Sequence, residues 1–300
     1  MATRVLRAAT AQASGKVILL GEHVVVHGQP AIVAGLGRGV RVEIEPGSAA
    51  APHDPRVDAA LRLAANLLGI ADEGFALRIR GDLPIGMGLG GSAALAVAIL
   101  RALAKAADLA VDPTVIAAHA HEIERLFHGT PSGVDSTAAA YGGLLWFEAG
   151  PPPRHERLRL PRDLPLVVVL SRTVHSTAVT VGSLRARAAA APEVYRPVFA
   201  AVGELVRAAR HAIEADERSR LGELMTMNHG LLRACGVSTP ELDDIVDAAL
   251  AAGASGAKLT GAGGGGAVIA LPVGDPQPLS AALAAAGHDC FTTHLSASPG

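Results

Sequence analysis

The chain has 300 residues, enough for two domains of ordinary size or one large one. Half of it is apolar, with mean hydropathy +0.34, yet it carries only 5 Phe, 2 Tyr and 1 Trp, so Ala, Val and Leu must build the core. Charge is balanced, 26 Lys and Arg against 28 Asp and Glu, which argues against a basic nucleic-acid footprint.

Two cysteines, Cys235 and Cys290, make neither a disulfide framework nor a metal-binding set. No apolar run has the length of a signal-peptide core or a membrane span, so a cytoplasmic protein is expected. In chain order, the short apolar runs Val17–Leu20 and Val24–Val26 read as strands. Val40–Ile44 alternates as a half-exposed strand, and residues 46–55 read as a loop. Val57, Leu61, Ala64, Ala65 and Leu68 give 56–68 a helical period. Phe75, Leu77 and Ile79 alternate as a further strand. After Asp82, a proline and four glycines lead into a long apolar helix that starts near Ser92. A second helix is expected over Pro113–Phe127, with proline in its permitted first turn. Residues 128–140 read as a turn and a short helix, and Leu144–Phe147 and Leu166–Leu170 as strands. The Pro-rich stretch 151–165 reads as a domain junction, so domains are expected over 1–162 and 163–300. Helices dominate 177–252, followed by the glycine-rich stretch 253–266, the strand AVIAL, and a last helix and strand. Strands and helices interspersed without regular alternation favour an α+β fold.

GMGLGGS, 86–92, and GAGGGG, 261–266, each fit GxGxxG, a weak signal alone. A dinucleotide fold needs a strand running into the first glycine and an acid at the end of the next strand. Here Asp82-Leu83-Pro84 precedes the first loop, and Asp108 follows a continuous helical pattern instead. What survives is an anion cradle: glycines let the backbone approach closely, and the helix start adds partial positive charge. Ser92 puts a hydroxyl at that helix start, to cap it or to help hold a metal. There is no Walker A sequence and no GxSxG elbow. His119 and His121 lack further ligands and read as solvated helix residues. Glu124 and Asp135 form the strongest polar pair. A phosphate donor needs Mg²⁺, which favours one or two carboxylates with phosphate oxygens and water. A hydroxyl acceptor needs a group to receive its proton. Two carboxylates beside a phosphate loop can divide those tasks.

Four ordered segments carry a resemblance: ASGKVILLGEHVVVHGQPAI (13–32), PIGMGLGGSAAL (84–95), ERLFHGTPSGVD (124–135) and AKLTGAGGGGAV (257–268). They resemble the motifs of the GHMP kinases, and the first and third are most similar to those of the mevalonate kinases within that family. The resemblance implies a two-domain α+β fold, with an N-terminal domain like ribosomal protein S5 domain 2 and a ferredoxin-like C-terminal domain. It implies ATP-dependent, Mg²⁺-assisted phosphorylation of the C5 hydroxyl of (R)-mevalonate, a step of isoprenoid biosynthesis. Another small-molecule kinase of the family, or a non-catalytic binder on the same fold, are the alternatives.

By the same resemblance, Asp135 would accept the hydroxyl proton, and Lys16 beside it would counter charge on the transferring phosphoryl group. Ser92 and Glu124 match the metal ligands. Gly86, Gly88, Leu89, Gly90, Gly91, Ser92 and Ala93 match the phosphate loop. Glu22 and His23 match residues of the acceptor pocket, and Thr177 a hydroxyl near the substrate. The second glycine loop would close over the site and hold the first in place, with its neighbour Lys258 an exposed cation. The implied partner is a small molecule, mevalonate, with no nucleic acid and no membrane, and a homodimer is allowed. Two departures stand out. Gly91 replaces a more usual serine. His175 stands where some relatives carry arginine, which leaves His23 and Arg172 as candidates for the substrate carboxylate.

Overall fold

The computed structural model describes residues 6–46, 54–71, 75–84, 86–128, 131–173 and 177–297. In chain order its elements begin with β1 (Ala9–Leu20), a 3-10 turn (Val24–His27), β2 (Ala31–Pro46), α1 (Pro55–Leu67) and β3 (Phe75–Gly81). They continue with α2 (Gly91–Ala106), α3 (Pro113–His128), α4 (Val134–Tyr141), β4 (Leu144–Glu148), β5 (Arg154–Arg157) and β6 (Leu164–Leu170). The remainder comprises α5 (Thr177–Ala190), α6 (Pro192–Glu214), α7 (Arg218–Ala234), α8 (Pro240–Ala251), β7 (Gly256–Thr260), β8 (Ala267–Leu271), α9 (Pro276–Ala285) and β9 (Asp289–Leu295). Four of the helices start with a polar cap followed by proline. Asp54, Asp112, Thr239 and Asp275 each accept a hydrogen bond from an amide in the first helical turn, at 2.9, 2.7, 3.3 and 3.0 Å.

Two compact units are interleaved along the chain. One is built from Met1–Lys16, Arg38–Leu83 and Gly90–Gly142, the other from Val17–Gly37, Pro84–Leu89 and Gly143–Gly300. Strands β1 and β2 each lend a segment to both. In the first unit, α2 is buried along most of its length. Ala93, Ala96, Val97, Ile99, Leu100 and Leu103 are all inaccessible to solvent. A helix that is apolar all round must be core, and α1, α3 and α4 pack around it. Its alanines let those helices approach closely, which is how a chain poor in aromatic residues fills its interior. The far half of β2 pairs antiparallel with β3, Val40 opposite Gly81 and Ile44 opposite Leu77.

In the second unit, an antiparallel sheet has the order β7-β8-β6-β9. Central strand β6 is a continuous apolar run, and Leu166, Val167, Val168 and Val169 are fully buried. Edge strand β7 is covered by α7. Thr226 Oγ1 accepts from the Ala257 amide and His229 Nδ1 from the Leu259 amide, both at 3.3 Å. Outward-facing edge amides are thereby satisfied. The near half of β2 pairs with β4, and β4 with β5.

One local expectation changes. Val24–Val26 is not a strand but lies in the 3-10 turn, bounded by His23 at φ 65° and Gly28 at φ 79°. Reversed backbone on both flanks leaves these valines no extended run to pair. The Pro-rich stretch 151–165 holds β5, whose residues pair with β4 from Leu145 opposite Arg157 to Glu148 opposite Arg154. No helix among the described residues is long and apolar enough to cross a membrane.

Candidate active site

The predicted site residues fall into two groups, one in each unit. The first centres on Lys16, on β1. Its side chain is 4% exposed, and its Nζ lies 3.2 Å from Asp135 Oδ1. Asp135 occupies the first turn of α4, behind Gly133 at φ 84°. An acid there complements the positive end of the helix dipole. The Asp135 side chain is 31% exposed, so its carboxylate meets solvent while its lysine partner does not.

Glu124, on α3, is buried, and its Oε2 has no hydrogen-bond partner among the described residues. Burial raises its carboxyl to about 8, and repulsion from Asp135 adds to the rise. Lys16 and the Ser136 amide oppose it. At neutral pH Glu124 is therefore largely a neutral acid, and a nearby cation would favour its ionised form. An orphaned carboxylate oxygen in a buried position fits a cation. Among the described residues no three His, Cys, Asp or Glu side chains cluster to hold a metal by themselves.

The start of α2 completes this group. Gly90 is the N-cap at φ 75°, and no side chain caps the helix. Ser92 is thus not the cap; it stands one residue inside the helix and is half-buried. A Cβ on Gly90 would sit 2.7 Å from Lys16 Cγ and 3.3 Å from Lys16 N, so only glycine lets Lys16 pass there. Gly91 has no left-handed φ, and a Cβ on it would meet nothing within 4 Å. Ala93 is buried beneath the turn.

The second group lies in the other unit. Gly86 and Gly88 are left-handed, and Leu89 is buried. The second glycine loop rests against this segment. A Cβ on Gly261 would be 3.2 Å from Gly88 O, and one on Gly266 would be 3.0 Å from Met87 O. The loop is pinned elsewhere by Gly264 N to Val237 O and by Gly266 N to Ser171 Oγ, both 2.8 Å.

Glu22 is fully buried and forms an ion pair with Lys258, while Asn228 Nδ2 donates to its Oε2 at 3.1 Å. Burial drives the Glu22 carboxyl above its ordinary value, and the Lys258 ammonium opposes that rise. Lys258 is therefore not an exposed cation: its solvent exposure is 0%. Its partner lies 236 positions earlier, beyond the reach of any local pattern. Burial also lowers His23 to about 4, so the ring is neutral at physiological pH. Its Nε2 lies 2.9 Å from Ala262 O and must carry the proton, because a carbonyl only accepts. A neutral His23 offers no charge to a carboxylate. Arg172 is tied through its amide to Glu241 Oε1 at 2.6 Å, with its guanidinium 3.4 Å from Gly287 O. Thr177 opens α5, but its side chain lies outside the described residues, as do His175, Gly129 and Thr130. Sequence reasoning missed Asn228 and the buried state of Lys258; the only local signal was the adjacency of Lys258 to the second glycine loop.

Two family models match the chain: GHMP kinases N terminal domain over residues 56–143, and GHMP kinases C terminal over residues 209–289. A mevalonate kinase of Pyrococcus abyssi is 36% identical, covering 97% of this chain and 96% of the relative. The crystal structure of L. major mevalonate kinase in complex with R-mevalonate superposes with TM-score 0.89 at 32% identity, covering all of both chains. The mevalonate kinase of Methanococcus jannaschii superposes with TM-score 0.82 at 25% identity, covering 97% of this chain and 98% of that one.

Proposed function

The chain belongs to the GHMP kinases, and we propose that it transfers the γ-phosphoryl group of ATP to the C5 hydroxyl of (R)-mevalonate, giving ADP and 5-phosphomevalonate. The observation that carries this reading is the Lys16–Asp135 ion pair at 3.2 Å, whose charges act on a buried Glu124 whose Oε2 lacks a partner among the described residues. A cation, a base and an orphaned carboxylate suit phosphoryl transfer, where catalysis is positioning and charge stabilisation rather than covalent chemistry.

Asp135 takes the hydroxyl proton as the C5 oxygen bonds to the γ-phosphorus and the bond from that phosphorus to the β,γ-bridging oxygen breaks. Lys16 counters the charge on the transferring group and holds Asp135 in place. Gly86, Gly88, Leu89, Gly90, Gly91, Ser92 and Ala93 form the phosphate loop, where amides at the start of α2 point at anionic oxygens. Ser92 and Glu124 would hold Mg²⁺, which when bound neutralises phosphate charge. We assign Glu22 and His23, and with them Thr177, to acceptor binding. With its Nε2–H given to Ala262, His23 has Nδ1 to accept from a substrate hydroxyl. We assign the family's two domains to residues 1–162 and 163–300, and the reaction to the cytoplasm.

Incubation of the purified protein with Mg-ATP and, separately, mevalonate, phosphomevalonate, galactose and homoserine tests the reading by ADP release. ADP release with mevalonate alone is expected. Turnover of another acceptor in its place would move the chain elsewhere within the family, and turnover of none would favour a binding protein.

A further inference from the structure

Lys258 belongs to no part of the reaction described above, yet, like Glu22, it is fully enclosed. Its ammonium has three N–H donors, and three acceptors surround it: Glu22, Leu259 O at 2.6 Å and Ile18 O at 3.4 Å. The second oxygen of Glu22 is held by Asn228. Glu22 O in turn accepts the Val24 amide at 2.8 Å, closing the turn that carries His23. His23 then bonds Ala262, four positions beyond Lys258. The Glu22–His23 turn is thus joined to the β7 segment by two rungs, one ionic and one neutral. Thr260 reinforces the join, taking the Ile18 amide at 2.9 Å and donating to Ile18 O at 3.1 Å.

We propose that Lys258 is a positioning residue for acceptor binding: its buried ammonium fixes Glu22 and, through the turn that Glu22 opens, orients His23 against the second glycine loop. The inference rests on the reading of Glu22 and His23 as acceptor-pocket residues. Stability is a poor reason for such a pair, since buried ion pairs replaced by well-packed apolar side chains are often neutral or better. The surroundings make the same point. Asn228, which completes the grip on Glu22, leaves its own buried Oδ1 without a partner among the described residues, an energetic cost that a contact made only for stability would not carry.

The test is steady-state kinetics and thermal melting of the full chain as wild type, Lys258→Met and Asn228→Leu. Lys258→Met is expected to raise the KM for mevalonate about tenfold, with kcat changed by less than about threefold and the KM for ATP by less than about twofold. Asn228→Leu is expected to raise the mevalonate KM about threefold with the KM for ATP changed by less than about twofold, while melting lower than wild type because buried Glu22 Oε2 loses its donor. That split between mevalonate and ATP is one a purely structural contact would not produce. If Lys258→Met does not fold, Asn228→Leu decides alone. An unchanged mevalonate KM, or equal rises for mevalonate and ATP, overturns the positioning role. Absence of wild-type turnover in the same assay sinks the functional reading instead, so the two failures are distinguishable.

Discussion

Restoring serine at position 91 should tighten nucleotide binding. Gly91 opens α2 without a left-handed φ, and a Cβ there meets nothing within 4 Å. The strain of about 1–2 kcal/mol that a side chain incurs in left-handed backbone is therefore absent. A hydroxyl at this helix start can donate to a phosphate oxygen. A hydrogen bond to a charged group contributes roughly 1.5–3 kcal/mol at best, and the loop amides already satisfy part of that oxygen. A gain of about 1 kcal/mol remains, or about fivefold in affinity. Replacing a helical glycine by serine adds at most about 0.5 kcal/mol to stability. The assay is calorimetric titration of Gly91→Ser and wild type with ATP, ADP and adenosine. The gain should appear for ATP and ADP and vanish for adenosine, which has no phosphate. Weaker ATP binding by the folded variant, or an equal gain for adenosine, would refute the assignment of this turn to phosphate.

The adjacent substitution should behave oppositely. Gly90→Ala combines left-handed backbone with a 2.7 Å approach to Lys16 Cγ, and strain plus overpacking should cost about 2–5 kcal/mol. Because Lys16 must shift, kcat should also fall at least about tenfold; a folded variant with wild-type kcat would contradict the placement. Asp135→Asn should lower kcat by about 10²- to 10⁴-fold with the nucleotide dissociation constant near wild type, checked by single-turnover kinetics and titration. For Glu124 the folded carboxyl titrates at about 8, above the ordinary 4.5. The folded state therefore holds its proton more tightly than the unfolded state, and stability is lost as pH rises from 4.5 to 8, by at most about 1.4 kcal/mol per pH unit. Glu124→Gln should flatten that slope in denaturant titrations of the nucleotide-free protein, and should raise the Mg²⁺ needed for half-maximal rate. A slope equal to wild type would assign the pH response to other groups.

Much of this protein is local chemistry and was legible in the residues themselves. Pro113 marks a helix start because proline suits the first helical turn, and the Asp112 cap beside it reaches only two residues ahead. The apolar run after Ser92 had to be a core helix, and the ordered glycine, GEH and PSGVD segments identified the family and with it the α+β fold and the Lys16–Asp135 pair. Other features depend on chain segments that meet only after folding. Val24–Val26 has strand composition, yet the left-handed residues at both ends turn it into a 3-10 segment. Gly90 and Gly91 are indistinguishable as letters; Lys16, from the distant β1, occupies the space beside one and leaves the other open. Glu124 is legible as a candidate ligand, but not its protonation, which burial and the charge of Asp135 set by holding it neutral. Lys258 looks like a surface cation until β7 carries it to Glu22, because desolvation and pairing are set by what packs around a charge, not by its neighbours in sequence.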